Sequence, residues 1–202
     1  MSKLSVTVWS DYVCPWCFIG LTELRSLEKE FEFEVQWMPY LLRPEAPEEG
    51  WELPDRIKSF INDPNNPLTV RAKKLGVTIK HRLQVPNSRR AHECTEYARS
   101  KGKIDPFHHH LIERYWSHGD DLHDWAVLEN AAVVAGIDPK EMRAEVEAGK
   151  WKQQMEDGIA AAQEIGVSAV PTFIVGNKFV IQGAQDAGVF RQAFQRLQSE
   201  KP

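Results

Sequence analysis

Residues 4–17 read Leu4-Ser5-Val6-Thr7-Val8-Trp9-Ser10-Asp11-Tyr12-Val13-Cys14-Pro15-Trp16-Cys17, and the change of period that begins here decides the fold. Leu4, Val6 and Val8 alternate with Lys3, Ser5 and Thr7, the period-2 pattern of a strand. From about Pro15 the pattern changes: Phe18, Leu21, Leu24 and Leu27 recur at helical spacing and run out near Phe31. A proline is tolerated near a helix start, where its missing N–H leaves no bond unmade. Phe33, Val35 and Trp37 then alternate with Glu32, Glu34 and Gln36. The order is strand, helix, strand, a βαβ unit whose crossover is expected to be right-handed. The two cysteines stand where the first strand hands over to the helix.

That position has a chemical consequence. A helix N-terminus offers unpaired N–H groups and the positive end of the dipole, which favour an anion such as a thiolate. The dipole contributes roughly 0.3–1 kcal/mol, and up to ~2 kcal/mol in a partly buried setting. Cys17 lies one helical turn beyond Cys14 and can reach its sulfur. Cys14 can therefore attack a substrate disulfide and Cys17 can resolve the mixed disulfide. Trp16, between them, is expected to cover one side of the site. Two other readings compete. Half of a zinc site would need two further ligands, but Cys94 and the seven histidines show no second CxxC and no regular Cys/His spacing. A purely structural buried pair is the other. Redox exchange is favoured, with no metal.

Further along, Ala169-Val170-Pro171-Thr172 opens a β-hairpin. Its strands are expected over Thr172–Val175 and Lys178–Ile181, around a Gly176-Asn177 turn. A proline entering a strand is ordinarily a first-position or edge residue. Beside a helix-start CxxC, the alternative is preferred: a cis-proline loop packed against the cysteines. Phe190, Ala193, Phe194 and Leu197 then share one face of a closing helix. Between Leu41 and Gly166 no strand is expected. Helical faces recur instead, with Phe107, Leu111 and Tyr115 on one, Trp125, Leu128, Ala132 and Ala135 on a second, and Trp151, Met155, Ile159 and Ala162 on a third. Asp105-Pro106 and Asp138-Pro139 read as N-cap and proline at helix starts. The scheme is an α/β thioredoxin-type frame split by a large inserted all-helical domain. Residues 1–40 form its first part (βαβ), 41–149 the insertion and 150–202 its second part (αββα).

Composition narrows the function classes. The chain has 202 residues, 42% hydrophobic and 27% charged, as in ordinary globular proteins. No apolar run is long enough to cross a bilayer. A net charge of −4 gives no electrostatic footprint for nucleic acid. Three cysteines are too few, and odd in number, for a disulfide-stapled secreted scaffold. Met1 leads almost directly into the first strand, with no signal-peptide pattern, so a cytoplasmic location is expected.

The two motifs, in this order and separation, resemble the DsbA-like branch of the thioredoxin superfamily, and more specifically its FrnE-type subgroup. The resemblance rests on Ser10-Asp11-Tyr12-Val13-Cys14-Pro15-Trp16-Cys17-Phe18-Ile19-Gly20, Leu41-Leu42-Arg43-Pro44, Arg90-Ala91-His92, Gly119-Asp120-Asp121-Leu122, Val170-Pro171-Thr172-Phe173 and Gly183-Ala184-Gln185. It implies a dithiol–disulfide site with Cys14 as nucleophile, Cys17 as resolving thiol and Pro171 as cis-proline. It also implies that the Val170 backbone pairs with an extended substrate segment. Partners would be protein or small-molecule thiols and disulfides, with no cofactor beyond glutathione as a thiol partner, and a monomer or homodimer. Pro15-Trp16 lacks the histidine of the Pro-His pair in the better-known periplasmic oxidant, so strong oxidising power is not carried over. Ala169 replaces the glycine usual in the subgroup before Val-Pro. The kappa-class glutathione transferases and 2-hydroxychromene-2-carboxylate isomerases resemble the same architecture. They generally carry serine where Cys14 stands and lack the second cysteine. A non-catalytic peptide-binding module is a further alternative.

Remaining residues carry plainer expectations. Asp11, three residues before Cys14, is either a proton relay or a turn residue. His92 either lines the groove or is a satisfied helix histidine. Cys94 shares a helix face with Ala91, Tyr97 and Ala98 and reads as core. His108-His109-His110 diverge around a helix and do not converge on a metal. Lys73-Lys74 and Arg89-Arg90 read as solvated charge.

Overall fold

The computed structural model describes residues 3–199. In chain order its strands are β1 (Leu4–Ser10), β2 (Phe33–Pro39), β3 (Trp51–Glu52), β4 (Gln84–Val85), β5 (Thr172–Val175) and β6 (Phe179–Gln182). Its α-helices are α1 (Pro15–Arg25), α2 (Asp55–Asn62), α3 (Pro67–Leu75), α4 (Arg89–Ser100), α5 (Ile104–Glu113), α6 (Trp125–Ala135), α7 (Pro139–Glu147), α8 (Lys152–Glu164) and α9 (Ala187–Ser199). A π-helical segment over Arg114–His118 continues α5. Among the described residues, no helix is long and apolar enough to cross a membrane.

The main sheet has the order β2-β1-β5-β6. β1 runs parallel to β2, with Val8 opposite Trp37, and antiparallel to β5, with Trp9 opposite Thr172. β1 is thus central, and Val6 and Val8 are fully buried. Its pairing with β5 carries Val170 and Pro171 to the end of β1 at which the cysteine loop begins. The fold is a thioredoxin-type α/β frame with a helical insertion. The core runs through both parts: Val6, Val8, Leu21, Phe173 and Phe190 pack in one cluster with Tyr97, Phe107, Leu111 and Leu128 of the insertion.

Four local expectations are corrected. The apolar period after Pro15 reaches Leu27, but α1 ends at Arg25. Leu27 remains buried in tight turns, its amide donating to the Leu24 carbonyl at 3.1 Å. The hairpin loop takes three residues, since Val175 pairs with Phe179. Gly176 and Asn177 both have positive φ (61° and 54°), and Lys178 completes the turn by donating to the Val175 carbonyl. Asp105 does not cap α5, which starts at Ile104. Its carboxylate accepts hydrogen bonds from Arg25 Nη2 at 2.6 Å and Trp37 Nε1 at 3.1 Å, tying the insertion to α1 and β2. Finally, the insertion is not wholly helical: β3 and β4 pair antiparallel, Trp51 opposite Val85. Two residue pairs are too short to leave an alternation in the sequence. Gly50 precedes them at φ 85°, where a Cβ would lie 2.4 Å from the Val85 carbonyl oxygen. Asp138 does cap α7, its carboxylate accepting from the amides of Lys140 and Glu141.

Candidate active site

The site is built at the junction of β1 and α1. The Asp11 carbonyl accepts from the Cys14 amide at 3.1 Å and closes a turn that delivers Cys14 to the N-cap of α1 (φ −91°, ψ 112°). The Cys14 carbonyl then accepts from the amides of Cys17 at 3.0 Å and Phe18 at 3.4 Å, the first bonds of the helix. Both thiols are free. Cys14 retains slight exposure (4%), whereas Cys17 has none. Burial pushes the Cys17 thiol well above the usual cysteine range, and its hydrogen bond with Cys14 adds to the rise. The Ser10 hydroxyl and the Asp11 backbone amide oppose it. The pair is asymmetric: one thiol at the helix cap, one held protonated beneath it.

Residues far along the chain complete the site. The Val170–Pro171 peptide bond is cis. Cys14 Sγ donates to the Val170 carbonyl oxygen at 3.6 Å, across 156 residues of sequence. Thr172 Oγ1 donates to the Ala169 carbonyl at 2.7 Å, and the Gly183 amide to the Pro171 carbonyl at 2.8 Å, so both sides of the loop are pinned. Gly20 permits the approach of Pro171 to α1. A Cβ there would lie 3.1 Å from Pro171 Cγ and 3.2 Å from the Phe173 ring. No role for Gly20 was legible in the sequence, because only the packing of two distant segments reveals it. Trp16 is half-buried beside the pair and shares a cavity wall with Val13 and Pro15.

Asp11 is fully buried. Its Oδ2 accepts from the Leu42 amide at 2.8 Å and its Oδ1 from the Val13 amide at 3.3 Å. His92 Nε2 lies 3.5 Å from Asp11 Oδ1. The Asp11 carboxylate thus holds both the cysteine loop and the start of the insertion. His92 is buried and its ring packs on Tyr12, whose hydroxyl shares a hydrogen bond of 2.5 Å with Thr95. Trp116 Nε1 donates to the Tyr12 carbonyl at 2.8 Å. Cys94 lies elsewhere, fully buried on α4, with its thiol raised by burial. His108 is buried, stacked on Trp37 with ring centroids 3.9 Å apart, and His110 Nε2 faces Asn130 Oδ1 at 2.9 Å. Among the described residues no cluster of three or more His, Cys, Asp or Glu is placed to hold a metal ion.

A family model for the DSBA-like thioredoxin domain matches residues 5–195. The chain belongs to this family. Among its relatives is the uncharacterized protein YwbO of Bacillus subtilis (strain 168), 28% identical over 199 residues that cover 97% of this chain and 98% of the relative. A crystal structure of a probable DsbA oxidoreductase, SCO1869 from Streptomyces coelicolor, superposes with a TM-score of 0.84 at 22% identity, covering 99% of this chain and 92% of that one. A 2-hydroxychromene-2-carboxylate isomerase superposes at 0.80 with 16% identity, covering 96% and 95%. At these identities the two structures speak for the fold alone. Both the DsbA-type and the isomerase-type resemblance are compatible with this DSBA-like fold, so the site must separate them.

Proposed function

We propose that the protein is a thiol–disulfide oxidoreductase of DsbA type working through Cys14 and Cys17. The observation that carries this reading is the asymmetric pair: Cys14 caps α1 against the Val170 carbonyl, while Cys17 is buried below it with its proton held. As a thiolate, Cys14 attacks one sulfur of R–S–S–R′, forming a Cys14–R mixed disulfide and releasing R′–S⁻. Cys17, on losing its proton, attacks Cys14 Sγ, forming the Cys14–Cys17 disulfide and releasing R–S⁻. Two electrons pass from the dithiol to the substrate, and the reverse sequence oxidises a substrate dithiol. The poise of the couple against the surrounding thiol pool sets the direction.

Pro171 and Val170 position the substrate, with the Val170 backbone offered to an extended segment and Trp16 flanking the sulfur. Asp11 holds the loop that presents Cys14 through the Val13 and Leu42 amides, with His92 packed on Tyr12 behind it. The location proposed is the cytoplasm, and glutathione is the proposed thiol partner. Two equivalents return the Cys14–Cys17 disulfide to the dithiol and leave as glutathione disulfide. No metal is required by any step.

The test is Cys17→Ala. With the resolving thiol gone, a small disulfide should leave a stable adduct on Cys14, seen by intact-mass spectrometry and removed by dithiothreitol. A variant that accumulates no adduct, in a folded protein, rejects the exchange reading. Conjugation of glutathione to electrophiles that survives Cys17→Ala would favour a transferase.

A further inference from the structure

The resolving sulfur is sealed from water. Cys17 has no exposed surface and packs in the core cluster with Val6, Val8, Tyr12 and Phe173. Yet exchange in either direction puts a negative charge on it. Cys17 is the nucleophile when a mixed disulfide is resolved, and the leaving group when an incoming thiolate opens the Cys14–Cys17 disulfide. A buried charge is costly unless hydrogen-bond donors surround it. Without water at this sulfur, the donors have to come from the protein.

Ser10 is the side chain placed to supply one. It is the last residue of β1, 2% exposed, on the strand face it shares with Val6 and Val8. Its backbone is fixed, opposite Pro39 in the parallel ladder and with its carbonyl accepting from the Tyr40 amide at 3.1 Å. Among the described residues its buried hydroxyl has no hydrogen-bond partner, and it stands against the Cys17 sulfur. A buried hydroxyl left unbonded destabilises the fold, so stability does not explain its presence. The sulfur of a neutral thiol is only a weak acceptor, which leaves this bond unmade in the dithiol. A thiolate is a strong acceptor. The amide of Asp11, next in the chain, faces the same sulfur, while the hydrogen bond of the Cys17 thiol itself is with Cys14.

We propose that Ser10 is a catalytic residue of the exchange: its hydroxyl, together with the Asp11 amide, donates to the Cys17 thiolate in both the resolving and the opening step. The proposal rests on the exchange reading above. In resolution the Cys17 sulfur gives up its proton, bonds to Cys14 Sγ and displaces R–S⁻, which takes up a proton and leaves as R–SH. In opening, R–S⁻ bonds to Cys14 Sγ and the electron pair of the Cys14–Cys17 bond stays on Cys17. Ser10 keeps its own proton throughout. A donor idle beside the neutral thiol and engaged by the charged sulfur favours the transition state over the ground state, and so raises the rate.

The experiment separates the two steps. The reduced protein is mixed with one equivalent of dithiodipyridine in a stopped-flow instrument, and pyridinethione release is followed by absorbance. The first release reports attack by Cys14 and the second reports resolution by Cys17. In Ser10→Ala the first should stay within about twofold of the parent and the second should slow about tenfold. The urea midpoint of the dithiol form should not fall, because the hydroxyl removed has no partner there. Ser10→Thr and Ser10→Val, matched in shape, keep the test alive if Ser10→Ala misfolds: the second release should be about fivefold faster in Thr than in Val. Equal slowing of both releases, an unchanged second release in folded Ser10→Ala, or equal rates in Thr and Val overturns the proposal and leaves the exchange reading standing. A parent protein that gives no second release rejects the exchange reading itself, and the role of Ser10 with it.

Discussion

The start of α1 and the α4–α5 layer each bury titratable groups, and the exchange we propose uses only those of the first. Cys17 and Cys94 are both fully buried, and burial raises both thiols. Cys17 has a second thiol, a hydroxyl and a backbone amide around it, and the second thiol sits at a helix cap with slight exposure. Cys94 has Ala91, Tyr97 and Ala98 on its own helix face and serves as a small apolar group. Burial by itself therefore says little about a cysteine's use; the polar company of the thiol decides it.

The largest effect that would break this contrast is on turnover. Replacing Cys14 by Ser, or Cys17 by Ala, should lower multiple-turnover exchange by about a thousandfold or more, since the two sulfurs act as a unit. If Cys17→Ala turned over like the parent, the buried thiol would be no more reactive than Cys94 and the asymmetry would lose its meaning.

The next effect belongs to the other region. His108 is sandwiched between Trp37 and Tyr12, with ring centroids 3.9 Å and 4.8 Å away. Burial holds its pKa well below the usual histidine range, with His92 and Arg25 adding to the fall. In the unfolded chain it titrates near ~6.5. The stability it contributes is therefore complete above that pH. It is lost as pH falls from there towards the folded pKa, because the unfolded state binds the extra proton, by up to about 1.4 kcal/mol per pH unit. Urea unfolding across this window should show the decline, and His108→Phe should flatten it. An unchanged slope in the variant would mean that His108 is not the group responsible. Exchange by the folded protein should not follow this titration.

A packing change tests the first region independently of its sulfurs. Gly20→Val places methyl groups where Pro171 and Phe173 already sit at contact distance. Overpacking of this kind costs about 1–3 kcal/mol. Displacing Pro171 should also slow exchange, by a larger factor than the loss of stability accounts for at a temperature where the variant is fully folded. Parent-like exchange in Gly20→Val would detach the Pro171 loop from the reaction.

What was readable in the sequence follows the length of each signal. The strand–helix–strand order around Cys14 spans more than thirty residues, and its periods are unmistakable. Asp138-Pro139 announced its helix because cap and proline act within one turn. Asp105-Pro106 misled for the same reason: a locally good cap was taken by Arg25 and Trp37 from other elements. The β3–β4 ladder has only two residue pairs, too few to alternate. The site shows the same division. The cysteines and Pro171 stand in motifs, whereas the support from Gly20, the Ser10 hydroxyl beside Cys17, and the cavity walls from residues 42–85 and 115–116 exist only once distant segments meet.

The smallest effect is expected at Cys94, and it is the control on which the contrast rests. Truncating a fully buried side chain to Ala removes packing from the cluster it shares with Tyr97 and Ala98. The cost should be about 1 kcal/mol, read as a lower urea midpoint with an unchanged slope. The rate of exchange should stay within about twofold of the parent, because no electron or proton is routed through this thiol. Iodoacetamide on the native protein should label Cys14 and spare Cys94, and unfolding should expose Cys94 to full labelling. If Cys94→Ala slowed exchange as strongly as Cys17→Ala, the α4 cysteine would belong to the reaction. The division between a reacting and a packing thiol would then have to be redrawn.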